Sequence, residues 1–142
     1  MRGVRSPAVI RYAALGHLAA TGLFVAAVLF QVFLAGLALF GSGGFRTHVA
    51  FGYSAIWVVI LLIPPLAWLG SLPRRDRWLS VALFSLYIPQ CLLPPLARAG
   101  GPEFIAALHP VNALLLFSLA TWLTARGWGR IRDRAEQSAP QP

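Results

Sequence analysis

The fold is decided by a long stretch without a charged side chain, residues 12–40, which reads YAALGHLAATGLFVAAVLFQVFLAGLALF. At about 1.5 Å per residue, a helix of this length exceeds the roughly 30 Å hydrocarbon core of a bilayer. Arg2, Arg5 and Arg11 precede the stretch. This arrangement resembles a signal peptide, but the apolar segment of a signal peptide has only about 7 to 15 residues. We therefore predict a first membrane-spanning helix that is not removed.

Three more apolar stretches follow the first one. They cover about residues 48–69, 78–96 and 108–125, and each can cross a bilayer as a helix rising about 1.5 Å per residue. Hydrophobic residues make up 58% of the chain and charged residues 11%, against about 25% charged residues in soluble domains. Because such a chain cannot cover itself with polar side chains, the lipid bilayer is its expected partner. Short loops make sequential helices neighbours, so we predict an all-α fold, a four-helix transmembrane up-and-down bundle.

The distribution of basic residues predicts how this bundle lies in the membrane. All twelve basic residues are arginines, which is typical of GC-rich bacterial genomes. Ten of them precede the first span, lie between the second and third, or follow the fourth; the other two loops hold one each. By the positive-inside rule both termini are then cytoplasmic, in a bacterial inner membrane. The basic N-terminus 1–11 and the polar tail 126–142 flank one membrane domain, 12–125, and we expect the tail to be disordered.

The same pattern argues against several classes of function. The arginines form short clusters between apolar stretches, so no basic face can follow a nucleic-acid backbone. The chain contains no P-loop, nucleophile elbow, dinucleotide fingerprint or zinc-protease motif, and we do not expect an enzyme. The single cysteine, Cys91, lies in an apolar stretch and cannot form an intrachain disulfide.

Prolines inside the apolar stretches predict local interruptions of the helices. Pro89 interrupts the third stretch, and Pro94 with Pro95 is expected to close it. A proline in a membrane helix frees a backbone carbonyl, because it has no N–H to donate to that carbonyl. We expect the amide of Gln31, at similar depth, to bond Gln90 or the carbonyls near Pro89.

Two histidines are the strongest candidates for a functional site. His48 and His109 begin the second and fourth apolar stretches, which run in the same direction, so both should lie at one depth near the outer face. Neutral imidazoles on two helices can ligate one haem iron from its two sides. We therefore consider haem b as the candidate cofactor, serving electron transfer or sensing with a redox or membrane-protein partner. The surroundings that we predict for it are Arg46 and Arg98 for the propionates, with Tyr53 and Asn112 nearby.

The two histidines are also compatible with a purely structural role. His109 precedes Pro110, and this pair is typical of the start of a helix with the proline at its first position. Two histidines alone are too few for a zinc or copper site. His17 lies towards the other face of the membrane, too far along the first helix to join the pair. The alternative function is a haem-free membrane subunit or small-solute permease, whose polar residues only hold the helices together.

Three short segments carry a resemblance to known proteins: FQVFLAG at 30–36, His48 with Gly52 and Tyr53, and LHPVN at 108–112. Together they resemble a family of small bacterial four-helix membrane proteins classed as a domain of unknown function, over all of the chain except its termini. The resemblance implies a four-span bundle with histidines in spans two and four, and no established activity. The histidine arrangement is more distantly similar to bundles of the cytochrome b561 and ferric-reductase kind. Those proteins carry two histidine pairs, so the single pair in this chain implies at most one haem.

Overall fold

The protein consists of four long helices joined by short loops. A computed structural model describes residues 6–41 and 43–137, apart from the side chain of Ala135, and this part of the chain contains no strand. All four helices are long and apolar enough to cross a membrane, which indicates a multi-pass membrane protein. The predicted all-α class is thereby confirmed. The helices are α1 (Pro7–Phe40), α2 (Arg46–Leu69), α3 (Arg74–Arg98) and α4 (Glu103–Gln137).

The helices form an antiparallel square, as predicted for an up-and-down bundle. Each helix packs against its neighbour in sequence, and α1 also packs against α4, so that α2 and α4 face each other across the diagonal. The centre is filled by apolar side chains from every helix, including Phe24, Ile60, Leu83 and Leu116. Many large apolar side chains on the outer surface are exposed. This distribution suits a bundle whose surroundings are lipid, because the outer surface then needs no polar cover.

The two ends of the bundle differ in character. The histidine end contains the α1–α2 and α3–α4 loops, with His48 and His109 close behind them. The arginine end contains the α2–α3 loop, the start of α1 and the last turns of α4. At the histidine end the chain leaves α1 at Gly41 and reverses through Gly44, whose φ of 61° is a left-handed conformation that glycine adopts without strain.

The helices extend beyond the stretches predicted from hydropathy alone. Pro89, Pro94 and Pro95 all lie inside α3, which continues to Arg98. The expectations that Pro89 interrupts this helix and that Pro94 and Pro95 close it are therefore wrong. A proline in a membrane helix is tolerated where other groups satisfy the carbonyl that it frees. Apolar length marks the segment that crosses hydrocarbon, whereas helical hydrogen bonding continues into the more polar regions on either side.

The predicted disorder of the tail 126–142 is wrong for its first part. α4 runs without interruption to Gln137, and residues 138–142 lie outside the described residues. The extension is held by contacts with the bundle, because Arg126 and Arg130 both bind the carboxylate of Asp76 on α3. Gly127 lies against α1, where a Cβ would be 3.1 Å from a methyl carbon of Leu18. The segment is therefore polar because it is the end of a helix that faces water, and one side of it packs against the bundle.

Gly70 closes α2 at a point where the backbones of α2 and α1 nearly touch. A Cβ at this position would lie 2.8 Å from the backbone N of Ala14 and 3.0 Å from its Cα. Because backbone atoms cannot rotate away, we expect Gly70→Ala to lower the free energy of unfolding by about 1–3 kcal/mol, as other overpacking substitutions do. Thermal unfolding in mild detergent measures the change. Gly36→Ala is the control, since no atom lies within 4 Å of its added Cβ, and an equal loss in both variants would contradict this explanation.

Asp76 is the buried centre of the link between α3 and α4. Its side chain is 0% exposed, Arg126 Nε lies 3.0 Å from one oxygen, and Arg130 binds the other. Asp76→Asn leaves two guanidinium groups without their counter-charge. We expect a loss of about 3 kcal/mol in unfolding free energy, the lower end for a broken buried pair, because both arginines reach solvent.

The control for Asp76 is the exposed ion pair between Arg132 and Glu136, one turn apart on α4. Its side chains are 69% and 70% exposed, and such pairs contribute only about 0–1 kcal/mol. Both variants, Asp76→Asn and Glu136→Gln, are compared by thermal unfolding in the same detergent. If Asp76→Asn unfolds at the temperature of Glu136→Gln, the buried carboxylate does not hold the two helices together.

Candidate functional site

The rings of His48 and His109 contact each other at the histidine end. Their centroids are 6.1 Å apart and their planes cross at 67°. They approach from α2 and α4, the two helices that face each other across the diagonal, so the contact lies inside the bundle. Both side chains are half-buried. The ring of Phe45 packs on the outer side of His48, with centroids 5.8 Å apart.

Each imidazole is held by a backbone carbonyl of a neighbouring helix. Nδ1 of His48 lies 3.1 Å from the carbonyl oxygen of Gln31 on α1, and Nδ1 of His109 lies 3.0 Å from that of Gln90 on α3. A carbonyl oxygen can only accept a hydrogen bond, so both Nδ1 atoms carry the proton. In a neutral imidazole the other nitrogen, Nε2, then keeps its lone pair. The contact between the two rings therefore brings together two potential electron-pair donors.

The carbonyl that holds His109 is available because of a proline. Pro94 has no N–H, so the carbonyl of Gln90, four residues earlier, lacks its usual helical partner. His109 Nδ1 donates to this carbonyl instead. Pro95 frees the carbonyl of Cys91 in the same way, and the hydroxyl of Tyr53 on α2 donates to it at 2.6 Å. Two adjacent prolines in α3 thus each create an acceptor that a side chain of another helix fills.

A second polar contact fixes the side chain of Gln90 beside His109. Asn112 on α4 donates from Nδ2 to the carbonyl oxygen of Leu86 at 2.9 Å and to Oε1 of Gln90 at 2.8 Å. This leaves the amide nitrogen of Gln90 facing Nε2 of His109, at a distance of 3.3 Å. That separation is long for a hydrogen bond and is the weakest link of the network. The structure describes no hydrogen-bond partner for Nε2 of His48 among residues 6–41 and 43–137.

α2 contains a π-helical segment, Gly52–Ile56, one turn beyond His48. Such segments often occur at functional sites. The hydroxyl of Tyr87 on α3 donates to the carbonyl oxygen of Gly52 at 2.6 Å. A Cβ on Gly52 would lie 2.6 Å from Nε2 of the Gln31 side chain, so the absence of a side chain at Gly52 leaves room for the Gln31 amide against α2. The backbone carbonyl oxygen of the same glutamine accepts from His48.

The structure brings some of the predicted site residues together and places others elsewhere. Asn112 belongs to the His109 network. Tyr53 is 52% exposed and faces Cys91 on the flank of α3. Arg46 and Arg98 are exposed at the same end, and within the described residues neither forms a hydrogen bond or ion pair.

Two further expectations about polar residues are wrong. His109 and Pro110 do not start a helix, because α4 begins at Glu103 and carries them in its second turn. The side chain of Gln31 does not bond Gln90: its Oε1 is buried without a partner among the described residues. Gln90, which bonds His109 instead, was missed as a member of the site. The sequence feature that could have identified Gln90 is its position four residues before Pro94. Its backbone carbonyl has no helical partner there and needs a hydrogen-bond donor from another helix.

His17 occupies a separate site at the arginine end. It is fully buried, and its Nε2 lies 2.9 Å from Oγ of Ser80 on α3. The Ser80 hydroxyl donates to the carbonyl oxygen of Asp76, so it must accept from the histidine. The expected separation of His17 from the other two histidines is therefore what the structure shows. This contact ties α1 to α3 across the bundle.

The candidate site offers two imidazole ligands and no third one. Among the residues that the structure describes, no group of three or more histidine, cysteine or acidic side chains is placed to hold a metal ion. Zinc and copper sites in proteins use three or four protein ligands. Two imidazoles suffice where a porphyrin supplies the remaining ligands of an iron.

Comparison with known proteins finds a match between part of the chain and a family without an assigned activity. Residues 31–97 match the model of a family described as "Family of unknown function (DUF6220)". The match covers just under half of the chain, from the last turns of α1 to the end of α3, and includes His48 and Gln90 but not His109. No curated protein and no solved structure matches the chain. The match supports the expected likeness to a family of unknown function, and the likeness to cytochrome b561 is not shown.

Asn112 is expected to stabilise the histidine end by joining α3 to α4. Asn112→Ala removes two hydrogen bonds, to Leu86 and to Gln90. Since interhelical hydrogen bonds in membrane proteins contribute about 0.6 kcal/mol each, we expect a loss of about 1 kcal/mol, measured by thermal unfolding in detergent. Ser54→Ala is the control, because that hydroxyl bonds only Ala50 of its own helix. An unchanged unfolding temperature for Asn112→Ala would show that the network does not link the helices energetically.

Proposed function

We propose that His48 and His109 bind one haem b as its two axial ligands. The observation that carries the proposal is the pairing of two neighbouring imidazoles, in each of which Nδ1–H donates to a backbone carbonyl oxygen and Nε2 keeps its lone pair. Histidines that ligate a metal usually donate the other ring nitrogen to a carbonyl, carboxylate or water. The bound haem would supply one-electron redox chemistry or a haem-dependent signal.

The two imidazoles lie close enough to each other to hold one prosthetic group together, with ring centroids 6.1 Å apart. His109 would exchange one interaction, the 3.3 Å contact with the amide of Gln90, for the metal. The carbonyl contacts of both Nδ1 atoms would stay in place and hold the ring orientations. The residues present therefore fit the group in ligand type, tautomer and proximity.

The remaining residues would have supporting roles. The carbonyls of Gln31 and Gln90 make each Nε2 a stronger electron-pair donor by accepting a hydrogen bond from Nδ1–H. Arg46 and Arg98, exposed at the same end, are our candidates for contacts with the propionates, because guanidinium groups pair well with carboxylates. Asn112 would keep the Gln90 carbonyl and amide in position.

Topology determines where such a site would exchange electrons. We propose that both termini are cytoplasmic in a bacterial inner membrane, which puts the histidine end at the outer face. The chain has three histidines, and His17 is committed to Ser80 at the arginine end. Only one pair is thus available, so the site suits exchange with a redox or membrane-protein partner at one face, or haem sensing, rather than electron transfer across the membrane.

The alternative function is a haem-free membrane subunit or small-solute permease. In that case the same hydrogen bonds serve only to hold α3 against α4 and α1 against α2. The two functions differ in one property that is simple to measure, the visible absorption spectrum of the purified protein.

The test of haem binding is a reduced-minus-oxidised visible spectrum. The full chain is produced in haem-supplemented cells and purified in mild detergent. We expect b-type absorption bands with about one haem per chain, since one histidine pair holds one iron. His48→Ala and His109→Ala are each expected to lose these bands while the protein is still recovered as a folded species. His17→Asn is the matched control, because it removes the third histidine at the other end of the bundle and is expected to keep the spectrum.

Each outcome of this test decides between the two functions. Bands that disappear in both single variants and persist in His17→Asn support the axial pair. A colourless wild-type protein that unfolds cooperatively overturns the haem proposal and leaves the haem-free alternative. Bands that survive in His48→Ala or His109→Ala also overturn it, because the ligands must then lie elsewhere.

A further inference from the structure

The arginine end carries a second arrangement that the histidine site does not use. Tryptophan rings there are paired with guanidinium groups. Arg75 and Arg126 both lie over the ring of Trp122, with guanidinium carbons 4.8 and 4.6 Å from its centroid. Arg77 lies 5.8 Å from the centroid of Trp68 on the other flank of α3. The start of α3 therefore presents one arginine–tryptophan pair on each side.

Positive charge at this end exceeds the negative charge available to balance it. Asp76 is buried between the two flanks, and its oxygens are taken by Arg126 and Arg130. Within residues 6–41 and 43–137, no carboxylate forms an ion pair with Arg75 or Arg77. Nor does either guanidinium donate a hydrogen bond to another described residue. Nε of Arg77 is buried without a partner, and the other N–H groups of the two guanidinium groups have no partner among the described residues, so they can bind an anion.

The surroundings of these arginines indicate where that anion comes from. Trp68 packs against Trp78, with ring centroids 5.9 Å apart, and Trp78 is exposed on the outer surface. Tryptophan is enriched at the level of lipid headgroups, where one part of the ring contacts hydrocarbon and the other contacts water. A guanidinium beside such a ring lies at the depth of the phosphates. Its planar set of N–H donors matches two phosphate oxygens.

We propose that Arg75 and Arg77 bind the phosphate groups of anionic phospholipids at the arginine end. The tryptophans hold the two side chains at headgroup depth, and Asp76 holds Arg126 and Arg130 in ion pairs that offset half of their charge. Basic pockets beside membrane helices recognise anionic headgroups in this way. The proposal is independent of haem binding, because the two sites lie at opposite ends of the bundle.

The test is lipid binding measured by native mass spectrometry on the full chain in detergent. The protein is titrated with phosphatidylglycerol and, separately, with phosphatidylcholine. We expect tighter binding of phosphatidylglycerol, and a loss of about 25-fold in Arg75→Gln/Arg77→Gln, since each arginine near an anionic surface contributes about fivefold, or about 1 kcal/mol. The matched control is Arg46→Gln/Arg98→Gln, which removes the same charge from the histidine end. We expect it to keep the preference.

Three results would overturn this proposal. The first is equal binding of the two lipids by the wild-type protein. The second is an equal loss in both double variants, which would show a general charge effect rather than a site. The third is full displacement of the lipid by inorganic phosphate at the same concentration, which would identify a soluble phosphate as the ligand. Selective loss in Arg75→Gln/Arg77→Gln, with weaker binding at higher salt, supports the lipid site.

Discussion

Backbone carbonyls that have lost their helical partners anchor α3 to the helices on both sides of it. In hydrocarbon there is no water to satisfy such a carbonyl, so a donor from another helix must reach it. Pro94 and Pro95 create two of these acceptors at consecutive positions of α3, and His109 and Tyr53 fill them. These two hydrogen bonds therefore fix the rotation of α4 and of α2 about their axes at the histidine end. The contact between His48 and His109 also depends on the backbone carbonyl oxygen of Gln31, which accepts from His48.

The number of helices and their antiparallel order could be predicted from the sequence because bilayer thickness gives a minimum length for an apolar span. The proximity of His48 and His109 could also be predicted, since both lie a few residues beyond loops at the same end of the bundle. The ion pair between Asp76 and Arg126 could not be predicted, because the residues are fifty positions apart in sequence and hydropathy carries no information about such a pair. The partner of Gln90 depends on helix rotation, which periodicity in an apolar stretch does not reveal.

The polar contacts are distributed unevenly over the four helices. α3 and α4 are joined at both ends, by Asn112 and Gln90 at one and by Asp76 and its arginines at the other. α2 is joined to α1 near the histidine end by one side-chain hydrogen bond among the described residues, from His48 to the Gln31 carbonyl. It is joined to α3 by two more, from Tyr53 to the Cys91 carbonyl and from Tyr87 to the Gly52 carbonyl. α3 therefore holds both α2 and α4, the helices that carry the two histidines.

The π-helical segment of α2 has a geometric effect on how the two halves of this helix are related. In a regular α-helix each residue advances by about 100°, so His48 and Ile60, twelve residues apart, would point about 120° away from each other. One extra residue absorbed by the segment Gly52–Ile56 reduces this angle to about 20°. Both the half-buried His48 and the fully buried Ile60 therefore face the interior. A single added residue thus changes the direction in which the residues before the segment point, relative to those after it. The part of α2 that carries His48 and the part that carries Ile60 can therefore both face the interior, even though a regular helix would turn one of them outward.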